Sequence, residues 1–571
     1  MKLYFTFPNW SRKCVTFSYD DGHVADLRLA ETLAKAGLKA TFNLVPTRIG
    51  QPGRLSVANV RTLLEQRHEV ASHGYRHLHL NELAPAALRA EVMDGRRALE
   101  DMLLQSVPGF ASPYGQHGPA AMDAMREAGM AYARTAGGSH SLHPYPQDWL
   151  RWTPTTHHRD ALPQAETFAK SNTWGGTLSV MYIWGHAWEF DRDGNWDHLD
   201  RIVAALDPVA NGIWAATNLE VRDYLEACRA VRLTTDLRHV ENPTAFPIYC
   251  NYGDDHGAVN TERLVLAPGA TFDLADASAR AAAHALASAA PAAHAIAPAA
   301  PAAPVPVSEI HLAFPDFRRK ALTFSYDDGH PADKGVLEIL NRHGLRGTFN
   351  LCGPKDTADA ALAELRGRYA GHELAVHGAE HESWNVTPAA TTLSDIHRNL
   401  VGLERVAGAT VRGSAYPCGR HSKNPRIDAL LQSIGVQYAR VCEPVTDFSL
   451  PDDFMDWHPT GHHNHDIAEI AQRFLDLEVA GDPRLCYIWG HSFEFENQGN
   501  WDVLDRFCAA LAPHSDTIWF ATNIEICDYI LAFRSLRWNL THTEVLNPSA
   551  ITLCLFVGDR KLLLPPGVTR L

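Results

Sequence analysis

Short apolar runs alternate with amphipathic stretches along the whole chain, and the runs tend to end on polar residues. Cys14-Val-Thr-Phe leads into Ser-Tyr-Asp20-Asp21-Gly22, the pattern of a buried strand that delivers charge at its C-terminal tip. Downstream, the spacing predicts a helix over 25–36 closed by Gly37, a strand over 40–44, and a helix capped by Ser56 that runs to Gln66. A strand Glu69-Val-Ala-Ser then ends at His73, and a longer helix is expected over 86–102. Next come Gly109-Phe-Ala-Ser-Pro-Tyr-Gly115, a helix to Gly129, a strand over 131–134, and strand-like pieces at Trp152, over 178–184 and over 213–217. Repeated βα units imply an α/β fold with a parallel sheet and outer helices, and seven or eight of them predict closure into a barrel. Chemistry in such barrels collects at the C-terminal strand ends. Asp20, Asp21, His73, Tyr114 and His186 all fall there. Residues 231–274 and 536–571 lack helical periodicity and read as small C-terminal β appendages.

The same pattern recurs. Asp20 corresponds to Asp327 (offset 307), His73 to His377 (304), Pro113 to Pro417 (304), Trp152 to Trp457 (305) and His186 to His491 (305). Ala40-Thr-Phe-Asn-Leu44 is repeated as Gly347-Thr-Phe-Asn-Leu351, and Tyr182-Ile-Trp-Gly-His186 as Tyr487-Ile-Trp-Gly-His491. So long a period means tandem domain duplication, not a solenoid. The segment between the copies is rich in Ala and Pro and reads as a semi-rigid spacer. The expected organisation is a first barrel over 1–274, a linker over 275–307 and a second barrel over 308–571.

Composition narrows the function. The chain of 571 residues is 46% hydrophobic and 20% charged, so each half is large enough to bury a full core. A net charge of -15 without clustered Lys and Arg argues against nucleic acid or an anionic membrane as partner. Ten cysteines without a Cys-x-x-Cys pair fit a reducing compartment better than a disulfide framework. No leader pattern precedes the first strand and no apolar stretch approaches a bilayer span, so a cytoplasmic enzyme is expected. Histidine is abundant, with 31 residues, which invites a metal hypothesis.

Two histidine pairs carry that hypothesis: His73-Gly-Tyr-Arg-His77 and His377-Gly-Ala-Glu-His381. Four-residue spacing lets both imidazoles face one point when the segment turns helically. A strand-end aspartate would complete a His2Asp set with open positions, leaving the neighbouring carboxylate free as a general base. An isolated Asp-Asp-Gly reads more simply as a turn. Its recurrence, with histidines following each copy, favours chemistry. A further histidine, at the end of Val180-Met-Tyr-Ile-Trp-Gly-His186, is placed to protonate a leaving group.

At these residues both copies resemble the polysaccharide deacetylases of carbohydrate esterase family 4, the NodB-homology group. The family's Thr-Phe-Asp-Asp-Gly motif appears as Phe-Ser-Tyr-Asp-Asp-Gly, and the match implies Asp20 and Asp327 as bases, with Asp21 and Asp328 as metal ligands. His-(Ser/Thr)-x-x-His matches His73/His77 and His377/His381, with Gly74 and Gly378 in place of the hydroxyl residue. The family's Arg-x-Pro-Tyr-Gly appears as Ala-Ser-Pro-Tyr114-Gly and Ala-Tyr-Pro-Cys418-Gly, so Tyr114 and Cys418 are the implied backbone oxyanion donors. The arginine that helps position the family's aspartate is replaced by Ala111 and Ala415. His186 and His491 match the acid histidine, and Trp152 and Trp457 the tryptophan of the fourth motif. Glu189 and Glu494, three residues after each acid histidine, are candidates for contact with the site, as are His157-His158 and His462-His463.

The resemblance implies an irregular, TIM-like barrel of about seven strands in each half. It also implies one divalent ion per domain, zinc first, with cobalt, nickel or manganese as alternatives. The implied reaction is hydrolysis of an acetylated carbohydrate, N-acetyl or O-acetyl. Two other readings stand beside it: hydrolysis of a non-sugar amide, as in allantoinase-like relatives, and sugar binding by one or two inactive copies. The intact aspartates of both copies favour deacetylation.

Overall fold

In the computed structural model, which describes residues 2–171, 177–253, 262–285, 306–354 and 357–571, the first strand lies outside the barrel. β1 (Lys2–Thr6) pairs antiparallel with Ile248–Gly253, which pairs with Glu262–Leu266. β2 (Lys13–Asp20) then runs through the centre of a parallel sheet. On one side follow β3 (Ala40–Leu44), β4 (Glu69–Ser72), β5 (Gly109–Ala111) and β6 (Tyr132–Arg134). On the other, β7 (Thr156–His157) forms the edge and β8 (Ser179–Gly185) lies against β2, whose first residues also pair with β9 (Ile213–Ala215). The sheet is a curled, irregular barrel. Its edge strands β6 and β7 do not pair among the described residues.

β2 reads as a nearly unbroken apolar run because both of its faces are covered; every residue after Lys13 is buried. Phe17, Phe42, Leu44 and Ile183 pack against Leu29 and Leu33 of the helix Asp26–Lys35 and Leu63 of the helix Val57–Glu65. Each fully buried side chain of this kind contributes about 1.5–3 kcal/mol of transfer free energy. Ser56 caps the second helix in a capping box with Asn59, as its sequence position predicts. The polar groups inside the barrel satisfy one another: Thr16 donates to Asn218 at 2.8 Å, and Asn218 to the Tyr182 hydroxyl at 2.6 Å.

The second half repeats this sheet around Lys320–Asp328, with the same strand order. The expected appendages are two small three-stranded antiparallel sheets per half, one of which recruits the N-terminal strand of that half. Within the expected spacer, residues Ala277–Ala285 form a helix that buries Ala283 against the first half's small sheet, so packed structure continues past residue 274. Residues 286–305 of the spacer lie outside the described residues.

Contacts between the halves are reciprocal. Arg537 reaches Asp223 at 2.7 Å and Arg232 reaches Asp528 at 3.2 Å. The Thr235 N–H donates to Glu404, and the Leu540 N–H to Glu100, both at 2.7 Å. Around the centre, the Ala245 N–H meets the Pro548 carbonyl while the Ala550 N–H meets the Pro243 carbonyl. Equivalent residues exchange roles, the signature of an isologous two-fold interface, here built within one chain. None of the ten cysteines is paired in a disulfide. Among the described residues no helix is long and apolar enough to cross a membrane.

Candidate active site

Asp20 is the last residue of β2 and is buried beneath the strand ends. Its Oδ1 accepts from Asn43 Nδ2 at 2.8 Å and from Arg134 Nη2 at 2.6 Å, and Arg134 also contacts Oδ2. Asp327 is held in the same way by Asn350 and Arg440. The role vacated by Ala111 is thus filled from the neighbouring strand. In the parallel register of β5 and β6, Ala111 lies opposite Arg134, and Ala415 lies opposite Arg440. Burial pushes the Asp20 carboxyl up, but the Arg134 guanidinium, then His73 and His186, outweigh it and bring it down to about 2. Asp327 is lowered as well, Arg440 overcoming burial. Both carboxylates are ionised at neutral pH.

Asp21 turns away from the strand in the left-handed region, φ 81°, and Asp328 does so at 77°. A non-glycine residue there is strained, and strain of this kind collects where the surrounding structure must aim a side chain. Asp21 Oδ1 lies 3.7 Å from His77 Nε2 and accepts from Arg48 at 2.9 Å. The ligand atoms of Asp21, His73 and His77 all lie within 4.8 Å of one another. In the second half Asp328 Oδ1 is 3.5 Å from Nε2 of both His377 and His381. Donors around a tetrahedral ion with bonds of about 2.0–2.3 Å stand roughly 3.3–3.8 Å apart, so these separations suit one.

The histidine tautomers agree. His73 Nδ1 lies 2.8 Å from the Ala111 carbonyl and His377 Nδ1 2.9 Å from that of Ala415. A carbonyl only accepts, so the proton sits on Nδ1 and the Nε2 lone pair faces the aspartates. Burial lowers the pKa of both rings despite the carboxylates beside them, which keeps them neutral and able to ligate.

The turn that joins each pair is not helical, contrary to the spacing argument. Gly74 has φ 76° and His77 φ 67°, and the segment wraps around Glu91, whose Oε1 accepts from the Arg76 N–H at 2.7 Å. A Cβ at Gly74 would stand 2.7 Å from Glu91 Oε1, and one at Gly378 2.6 Å from Asp395 Oδ2. The glycines that replace the hydroxyl residue admit these carboxylates.

Tyr114 (φ 56°) and Cys418 (φ 59°) sit at the same left-handed corner beside the triads, and neither backbone N–H makes a hydrogen bond among the described residues. The Tyr114 ring is exposed, 4.7 Å from that of His77, and stacks on His79. Trp152 and Trp457, expected beside the site, are core residues instead. They pack on Tyr132 and Tyr182 and on Tyr438 and Tyr487, and touch the site only as backbone bridge partners of Arg134 and Arg440.

His186 follows β8. Its Nδ1 lies 3.6 Å from Glu189 Oε1, and His491 Nδ1 3.0 Å from Glu494 Oε1. Burial pulls His186 down, yet the Glu189 carboxylate with Asp20 and Asp21 leaves its pKa raised; His491 is raised by the matching set. The paired histidines complete this cluster: His157 and His158 Nε2 lie 3.1 and 3.2 Å from Glu189 Oε2. Three donors so close in each half, His157, His158 and Glu189 in the first and His462, His491 and Glu494 in the second, resemble a second metal centre, but a tautomer argues otherwise. His157 Nδ1 accepts from the Arg159 N–H, and His462 Nδ1 from the Asn464 N–H. The proton is therefore on Nε2, facing the carboxylate, so the cluster is a set of charge contacts around Glu189, joined at Glu494 by hydrogen bonds with Asn464 and His491.

The arginines and asparagines that grip the aspartates were not among the residues expected from sequence. The repeats Tyr132-Ala-Arg134 and Tyr438-Ala-Arg440, and Thr-Phe-Asn-Leu, were visible signals.

Comparison with known proteins follows the duplication. The polysaccharide deacetylase family profile matches residues 8–133 and 315–439. The Bacillus subtilis (strain 168) protein YxkH, provisionally described as a polysaccharide deacetylase, is 28% identical over 120 residues, 21% of this chain and 43% of its own length. The chain therefore spans less than half of that curated relative. Similar solved structures include the family 4 carbohydrate esterase from Streptomyces lividans in complex with acetate: 18% identity, 36% of this chain, 92% of that one, TM-score 0.27. Another is the family 4 acetyl xylan esterase from Clostridium thermocellum in complex with a cobalt ion: 21% identity, 37% of this chain, 90% of that one, TM-score 0.26. With two profile matches, one at each Asp-Asp-Gly strand, the chain belongs to the polysaccharide deacetylase family and carries its domain twice in tandem.

Proposed function

We propose that each half is a metal-dependent deacetylase that hydrolyses an acetyl group from an acetylated carbohydrate. The observation that carries this reading is the convergence, in both halves, of a buried ionised aspartate, a second aspartate with two histidines close to its carboxylate, and a histidine of raised pKa at the strand ends. Asp21, His73 and His77 would hold a divalent ion in the first half, and Asp328, His377 and His381 in the second. The ion, zinc being the first expectation, supplies Lewis-acid polarisation of the acetyl carbonyl and of the attacking water.

The chain's own residues do the rest. Asp20 or Asp327, kept ionised by its arginine and oriented by its asparagine, accepts the proton of the attacking water. The N–H of Tyr114 or Cys418 donates to the oxygen on which negative charge develops. His186 or His491, whose pKa is raised against burial by its glutamate and the aspartates, returns a proton to the departing sugar nitrogen or oxygen. Intact aspartates in both copies support hydrolysis over a pure binding role.

The test is acetate release from acetylated oligosaccharides, with and without a chelator, for Asp20→Asn, Asp327→Asn and the double variant. Each single variant is expected to lose one half's share and the double variant about 10²–10⁴-fold. Sugar binding without acetate release from the unaltered chain would defeat the reading.

A further inference from the structure

The two triads differ in one donor. After β3 the first half places Val45, buried and without a polar atom, whereas the equivalent position after Thr348–Leu351 is Cys352. The Cys352 S–H donates to the carbonyl of His377, itself a triad residue, at 3.5 Å. The ligand atoms of Asp328, Cys352 and His377 all lie within 4.8 Å of one another, the same closeness that gathers Asp21, His73 and His77. Asp328 Oδ1 is buried and accepts no hydrogen bond among the described residues, while Asp21 Oδ1 takes that of Arg48. In the second half, then, an unpartnered carboxylate oxygen, the His377 imidazole and a thiol lie close together, and the His381 imidazole approaches the same oxygen at 3.5 Å.

We infer that Cys352 is a fourth protein ligand of the second half's metal centre, making it a sulfur-containing site of a kind the first half lacks. The inference rests on the metal-dependent reading above. On coordination the S–H bond breaks, the sulfur–metal bond forms and the proton leaves to solvent. Two consequences follow from the chemistry of the donors. A soft thiolate beside two imidazoles favours zinc over manganese or magnesium, whereas a His2Asp set discriminates less. A fourth protein ligand also holds the ion more tightly, so that water or substrate would enter the second half's site as a fifth ligand, while the first half keeps a fourth position for them. The first half would then exchange its ion readily and the second would retain it.

Cobalt reports thiolate ligation directly, through a sulfur-to-cobalt charge-transfer band in the near ultraviolet. The full chain, stripped and reloaded with Co2+, is expected to bind two ions per chain and to show that band. Cys352→Ser should abolish the band while two ions still bind. Cys442→Ser, which alters a thiol 3.8 Å from Arg440 Nη1, should keep it, and so should His77→Ala, which removes a first-half ligand. Under a chelator the ion with the band should leave last. Two cobalt ions without a band, or a band that survives Cys352→Ser, overturns the assignment and leaves the deacetylase reading standing. Absence of any cobalt binding overturns both.

Discussion

The two halves hold the aspartates proposed as bases with the same partners and surround them differently. Asp20 and Asp327 each lie in the grip of one asparagine from the next strand and one arginine four strands away, with the same partners and nearly the same geometry. Around the triads the copies part. Val45 faces Cys352, Tyr114 faces Cys418, and the Asp328 and His381 side chains are 32% and 40% exposed where Asp21 and His77 are 14% and 13%. The difference teaches which features the chemistry constrains. A buried carboxylate has no substitute partner if its arginine is lost, whereas an exposed rim tolerates change.

Removing the shared arginine should have the largest effect. Arg134→Ala leaves Asp20 buried with a single neutral donor, and the expected cost is about 3–5 kcal/mol in chemical denaturation. Acetate release by that half should fall at least about 10²-fold, with partial recovery in Arg134→Lys, and Arg440→Ala should behave alike in the second half. A cost below about 1 kcal/mol in either would mean the aspartates are not held as described. Next comes the histidine turn. Gly74→Ala and Gly378→Ala force a side chain into a left-handed position already occupied by a carboxylate, and about 1–3 kcal/mol of stability should be lost, read as a drop in Tm.

The glutamates set the pH response. A histidine that acts as an acid must be protonated, so activity should fall as pH rises through its raised pKa. Glu189→Gln removes a charge that favours the protonated ring, and the alkaline fall should move to lower pH, with about tenfold less activity on that limb. The shift should be larger for Glu494→Gln, whose oxygen is closer to its histidine. An unmoved profile would exclude the pairing. The smallest effect belongs to the rim: Tyr114→Cys and Cys418→Tyr alter an exposed side chain but not the backbone N–H. Stability should stay within about 0.5 kcal/mol, and acetate release should change little. A large loss would show that the side chain, not the backbone, contributes.

Much of the architecture was legible in order along the chain. The apolar run into Asp20-Asp21, the capped helix after Ser56 and the strand before His73 follow from local periodicity and capping, and the structure has them within a residue or two. Duplication was legible because the two copies could be compared with each other. The histidine turn was misjudged, since His-x-x-x-His spacing is compatible with a helix and only Glu91 and the glycine backbone decide against one. Trp152 followed a motif to the right neighbourhood, yet its side chain points into the core.

The sequence by itself determined what chemistry is available: two strand-end aspartate pairs, two histidine pairs, and two further strand-end histidines with their glutamates, all repeated at nearly constant offsets. Tertiary structure alone decided which groups serve which. Arg134 stands 114 positions from Asp20, and only the curl of the sheet and the β5–β6 register bring its guanidinium to the carboxylate. The tautomers were decided there too, because a ring's proton is fixed by whichever backbone group meets its other nitrogen. A carbonyl at His73 leaves a lone pair for a metal, while an N–H at His157 leaves a donor for Glu189.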